Sequence, residues 1–161
     1  MRPDKDDKPT QPPSARRAFQ HNGHRWERVD VHPYKDDGRA LFKDVTRQIL
    51  VSRPDIAGEL RYFEVAPGGY STLERHGHVH GVLILRGSGR ALVGDEVLDL
   101  ATNDLVTVPP MTWHQFRAPA DGPLGFLCLV DAVRDKPQLP AARDLEQLRR
   151  DADISAFLDG R

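Results

Sequence analysis

The 161-residue chain has a single cysteine, Cys128. This excludes an internal disulfide framework and any zinc site built on thiolates. No apolar run approaches the roughly 20 residues of a membrane-spanning helix. Charge of one sign is also lacking. Lys and Arg number 23 against 24 Asp and Glu, a formal net charge of -1, and no local cluster makes a basic footprint for nucleic acid. Met1 to Ser14 is charged and Pro-rich without an apolar stretch. No secretory leader is therefore expected, and the protein is expected in the cytoplasm, away from membranes.

Turn residues, by contrast, are abundant. Thirteen Pro and thirteen Gly divide the chain at short intervals, a density that favours many short strands over helices. Strand-like runs are Val45–Val51, Glu59–Val65, Gly81–Leu85, Arg90–Val93, Glu96–Leu100, Asp104–Val108, Trp113–Ala118 and Leu124–Ala132. The second is expected to stop at Pro67-Gly68-Gly69 and the third at Gly87-Ser88-Gly89. Such spacing predicts an all-β antiparallel sandwich or barrel. Helical periodicity is confined to 141–158, where Leu145, Leu148, Ile154, Phe157 and Leu158 mark one face. The expected organisation is a mobile Pro-rich tail over 1–17, a barrel with an aromatic lead-in over 18–140, and a helical segment over 141–161 packed on the barrel.

Chemistry concentrates in the histidines. Four of the seven fall between Glu74 and His114, and His76, His78 and His80 alternate. On a strand, alternation sends all three to one face together with Glu74. Buried imidazoles need partners, and several packed together without a shared ligand are costly, so the cluster points to a divalent metal ion. Geometry limits the ligand set. Residues four apart on a strand are separated by roughly 13 Å. Imidazole nitrogens must each come within about 2.1 Å of the ion. His76 and His80 can share one only if the chain bends between them, and Gly77 is placed to bend it.

These residues resemble the two motifs of the cupin superfamily. The first motif is matched in spacing by Gly68, Glu74, His76, His80 and Gly87, with a carboxylate where the family has its first His and an imidazole where it has Glu. The second is matched by Asn103, Pro109, Met111, His114 and Ala118, with Pro and His in place and the two Gly and final Asn replaced. The resemblance spans about Val45 to Ala132. It implies a double-stranded β-helix (a jelly-roll barrel) with Glu74, His76, His80 and His114 as metal ligands. A competing set replaces Glu74 with His78. One carboxylate beside three imidazoles suits Mn, Fe, Co, Ni or Zn about equally, and an oxygenase activity implied by the resemblance would prefer Fe(II).

Pocket residues follow from the neighbourhood. Trp113 and Phe116 flank His114, and Tyr62, Glu64, Arg86 and Gln115 can face the cavity. Cys128 lies in the apolar run Leu124–Val130, either packed in the core or facing the pocket. Trp26 and the pair His21 and His24 are expected to pack on the barrel, with covering its mouth as the alternative. The family resemblance implies a metal-dependent enzyme acting on a small organic molecule, with a dioxygenase first and a non-redox lyase, decarboxylase or isomerase as the alternative. A barrel that binds a small ligand without catalysis is the third reading. His78 and Glu74 are the candidates for proton transfer. The family resemblance also implies a homodimer, and the apolar strands leave edges that need cover.

Overall fold

The computed structural model describes residues 16–34 and 41–161. Most of the expected 1–17 tail lies outside these residues. The lead-in forms β1 (Phe19–Gln20), β2 (Arg25–Trp26) and β3 (His32–Pro33). The barrel follows as β4 (Lys43–Ser52), β5 (Gly58–Tyr70), β6 (His80–Val93), β7 (Glu96–Ala101), β8 (Leu105–Val108), β9 (His114–Arg117) and β10 (Leu124–Asp131). Two helices, α1 (Ala142–Leu148) and α2 (Ala152–Leu158), end the chain. No helix among the described residues is long and apolar enough to cross a membrane.

β5 and β6 tie the barrel together. The first half of β6 pairs with β8 and β10, its second half with β7 and β9. β5 pairs with β4 and β10 along Gly58–Val65 and reaches β9 at Tyr70. Both strands run through the glycines at which the sequence predicts an end. The glycines let each strand bend from one set of pairing partners to the next instead of stopping it. Gly87 has φ 69°, and a Cβ there would run into the Pro123 carbonyl. At Gly69 a Cβ would lie 2.6 Å from the Lys43 carbonyl oxygen. Neighbouring backbone passes too close at these corners for any side chain.

Inside the barrel, alternate residues of each strand meet. Phe63, Val65, Val82, Ile84, Val108, Phe116, Leu124, Phe126 and Cys128 are among its buried core. The Phe126 ring lies between Phe63 and Phe116, with centroids 5.6 and 4.6 Å away. A second cluster sits on the outer surface, where Ile154 and Phe157 of α2 cover Leu73 and Leu92. The helical segment therefore packs on the barrel as the periodicity implies. On the opposite outer face, Leu105, Leu83 and Leu127 are directly paired across β8, β6 and β10, and Leu129 pairs with Leu60 of β5. Directly paired residues share a face, so these leucines form one apolar surface.

Gly87→Ala is expected to destabilise the fold by about 2 kcal/mol, combining the left-handed backbone with the Pro123 clash. Gly122→Ala, where a Cβ would meet nothing within 4 Å, should shift stability by less than about 0.5 kcal/mol. Urea unfolding of both variants checks the contrast.

Candidate metal centre

The site starts from a single antiparallel bridge between Glu74 and His114. Backbone bonds in both directions, 3.2 and 3.0 Å, hold the two residues opposite one another and turn their side chains to the same side. Beyond Arg75 the chain leaves the extended form and bends at Gly77 and His78. The three alternating histidines therefore do not share a strand, and only His80 belongs to β6. Asp135 is the clamp. Its carboxylate accepts from Gly77 N–H at 2.7 Å, His78 N–H at 3.2 Å and His78 Nδ1 at 2.8 Å. The Gly77 amide and then the His78 ring hold that carboxyl well below the usual carboxylate range. The bend brings His76 Nε2 and His80 Nε2 to 2.8 Å.

The second motif docks on the first through its backbone. Met111 N–H donates to the His76 carbonyl at 2.7 Å. Asn103 and Met111, at the two Gly positions of the family pattern, have φ of 78° and 55°. The replacements keep the left-handed turns that glycine adopts without cost.

Hydrogen bonds assign the tautomers. His76 Nδ1 faces the His78 carbonyl at 2.8 Å and His114 Nδ1 faces the Thr112 carbonyl at 2.9 Å. A carbonyl only accepts, so each Nδ1 carries the proton and each Nε2 the lone pair. His80 Nδ1 lies 2.9 Å from Cys128 Sγ. Burial, and then the nearby His114, lowers His76 to about 4 and His80 to about 2, which keeps both rings neutral near pH 7.

Two overlapping groups of donors result: Glu74, His76 and His114, and His76, His78 and His80, each with ligand atoms within 4.8 Å of one another. Ring planes separate them. The His76 and His78 rings stack at 3.6 Å and 2°, so their lone pairs lie in separate parallel planes and one ion cannot lie in both. The His114 ring stands at 72° to His76. Neutral imidazoles beside one buried carboxylate form a donor set that fits a divalent transition metal ion. Tyr34, not singled out as a site residue in the sequence, adds its hydroxyl to Glu74 Oε1 at 3.4 Å. Burial, and then the Glu74 charge, raise that hydroxyl well above its usual range, so it acts as a neutral donor.

The expected pocket residues divide between the two sides of the wall. Cys128 and Phe116 belong to the barrel interior. Tyr62 and Arg86 do not. On β5 the inward positions are Glu59, Arg61, Phe63 and Val65, which sends Tyr62 and Glu64 outward. There the Tyr62 hydroxyl donates to Glu64 at 2.7 Å and Arg86 donates to both Glu64 oxygens at 2.8 Å. His24 and Trp26 cover Tyr62 with ring centroids 5.3 and 5.2 Å away, so the lead-in closes this outer face and not the barrel mouth. Trp113 also lies outside, under the Arg75 guanidinium at 4.4 Å and against the helical cluster. Gln115 faces outward too, binding the Ser71 carbonyl at 2.8 Å. Conversely, Arg61 faces the interior although nothing in the sequence reading selected it. The signal was legible, since it alternates with Phe63 and Val65. Asp135, past the last strand, had none.

Lowered histidines predict an acid-sensitive metal-free protein. The unfolded chain binds protons at about 6.5, whereas folded His76 binds only at about 4. Stability is therefore complete above pH 6.5 and is lost as pH falls toward 4. Urea midpoints of metal-stripped protein should fall across that window and fall less in His76→Asn. A flat profile would contradict the neutral, buried cluster.

Comparison with known proteins agrees with the geometry. Residues 61–130 match the family model described as Cupin domain. A relative from Rhodospirillum rubrum named 1-methylthio-D-xylulose 5-phosphate methylsulfurylase is 57% identical over 155 residues, covering 96% of this chain and 95% of its own. The crystal structure of a cupin 2 conserved barrel domain protein from Rhodopseudomonas palustris is similar with a TM-score of 0.84 and 56% identity, over 89% of this chain and 98% of that one. A cupin-2 domain structure from Rhodospirillum rubrum gives a TM-score of 0.82 and 57% identity, over 91% and 97%. With a barrel, two motifs and relatives alike over nearly its whole length, this chain belongs to the cupin family.

Proposed function

We propose that the chain is a metal-dependent enzyme that cleaves the carbon–sulfur bond of a phosphorylated methylthio-ketose, 1-methylthio-D-xylulose 5-phosphate. The methylthio group passes to the sulfur of an acceptor thiol to form a mixed disulfide, while C1 keeps the bonding electron pair and takes the thiol proton, leaving a 1-deoxy-ketose phosphate. The observation that carries this choice of substrate is 57% identity to the relative of that name across 96% of the chain. Glu74, His76, His80 and His114 are the proposed ligands. His78 is left out because its ring runs parallel to His76. Bound there, Mn, Fe(II), Co, Ni or Zn supplies Lewis acidity for the oxygens of a ketose.

The remaining residues handle position and protons. The neutral Tyr34 hydroxyl, next to Glu74, donates a hydrogen bond where negative charge develops on a substrate oxygen. His78, fixed by Asp135 through Nδ1, presents Nε2 for proton transfer. Phe116, Phe126 and Phe63 exclude water from the inner end of the pocket. The metal would act here as a Lewis acid, as in the expected lyase, decarboxylase or isomerase, but the reaction is a group transfer in which the thiol is oxidised as C1 is reduced; an Fe(II) dioxygenase is its rival. The proposed setting is the cytoplasm.

Purified protein incubated with 1-methylthio-D-xylulose 5-phosphate and a thiol is expected to consume it equally in air and under argon. Chelation should abolish turnover and added metal restore it. His76→Ala and Glu74→Ala should each lower metal content and reduce turnover by more than about 100-fold. A requirement for dioxygen would favour the oxygenase, and no consumption in metal-replete protein would sink the substrate assignment.

We also propose a homodimer through the outer leucine face. Its support is Leu105 and Leu129, 81% and 57% exposed on a surface continuous with Leu83 and Leu127. Light scattering should give twice the chain mass, falling to the single chain mass in Leu129→Asp. A monomeric wild type would overturn it.

A further inference from the structure

The barrel interior holds a cation that the metal site does not use. Arg61 is buried, its side chain 9% exposed, at an inward position of β5. Its contacts are poor for a charged group. Nη2 faces the Cys128 sulfur at 3.9 Å, the guanidinium lies 5.0 Å from the Phe63 ring centroid, and Nε finds no hydrogen-bond acceptor among the described residues. Nε lies 3.8 Å from Glu59 Oε1. That same oxygen is 3.3 Å from Arg134 Nη1, so two guanidinium groups share one buried carboxylate. A buried cation left this way is expensive unless an anion completes it.

Arg61 lies beside the metal centre, since the Cys128 sulfur is 3.9 Å from Arg61 Nη2 and 2.9 Å from His80 Nδ1. With Glu74 committed to a divalent ion, the ion together with Glu74, Glu59, Arg61 and Arg134 carries two excess positive charges, equal in size and opposite in sign to a phosphate monoester dianion. The arginines are also graded in depth, since Arg134 is 26% exposed and Arg61 is buried. An entering phosphate therefore meets Arg134 first.

We propose that Arg61, with the more exposed Arg134, is the phosphate-recognising residue of this pocket, and that Glu59 bridges the pair until the phosphate arrives. The inference rests on the substrate class proposed above and assigns its phosphate a place. The planar fork of Arg61 offers the unused Nε and an Nη to two phosphate oxygens at once, which a lysine ammonium cannot reproduce. Specificity for phosphorylated over free sugars then comes from these protein side chains.

Calorimetric titration of metal-loaded protein with D-xylulose 5-phosphate and with D-xylulose tests this. Wild type should bind the ester at least ~30-fold more tightly, as expected for charge-assisted bonds to a buried site. Arg61→Met should reduce that advantage to about 3-fold or less, Arg61→Lys should retain part of it, and Arg134→Gln should lose less than either. Metal content and circular dichroism establish that each variant is folded. If Arg61→Met does not fold, Arg61→Lys and Arg134→Gln decide the question. An unchanged advantage in the folded Arg61 variants, or no advantage in wild type, overturns the proposal. An advantage lost with Arg61 in a protein that leaves 1-methylthio-D-xylulose 5-phosphate untouched supports the phosphate site and removes only the proposed reaction.

Discussion

The candidate centre depends on one carboxylate. Asp135 reaches back 58 residues to accept from Gly77 and 57 to accept from His78, and so holds a bend that a strand would not make. Without that bend His76 and His80 would stand roughly 13 Å apart along a strand. With it their Nε2 atoms meet at 2.8 Å. The three bonds also fix the His78 ring, so the same residue organises both the donor set and its neighbour. Asp135 itself ligates nothing and controls where the donors point.

Around that clamp the barrel supplies a rigid, dry frame. The Glu74–His114 bridge joins the two motifs through backbone, and the Met111 amide ties the second motif to His76. Tautomers are set by carbonyls that do not titrate, so the lone pairs stay aimed inward whether or not an ion is bound. Burial keeps His76 and His80 neutral and therefore ready to ligate. The same burial makes the metal-free protein vulnerable to acid. Stability and readiness to bind draw on one cause.

Sidedness explains most of the difference between the expected and observed pocket. Tyr62 and Arg61 are neighbours in sequence, yet one lies beneath the lead-in aromatics and the other faces the interior. A period-two pattern divides a strand into two faces, and only the identities of Phe63 and Val65 say which face is the core. Trp113 and Phe116 separate by the same rule. The glycine corners show a further limit. Pro67-Gly68-Gly69 and Gly87-Ser88-Gly89 carry turn chemistry, but whether a glycine ends a strand or bends it depends on the backbone that passes beside it.

By itself the sequence determined the all-β class, the helical end, the two motifs and the cluster of Glu74, His76, His78, His80 and His114, because these are local in spacing and residue type. Tertiary structure alone decided which of those donors converge, since convergence needs Asp135 from a distant loop and ring planes that spacing does not encode. It also decided that Arg61, unremarkable between Leu60 and Tyr62, becomes a buried charge with an incomplete set of partners. A side chain's chemistry is written in the chain, but the dielectric and the neighbours that give it a role exist only after strands distant in sequence have paired.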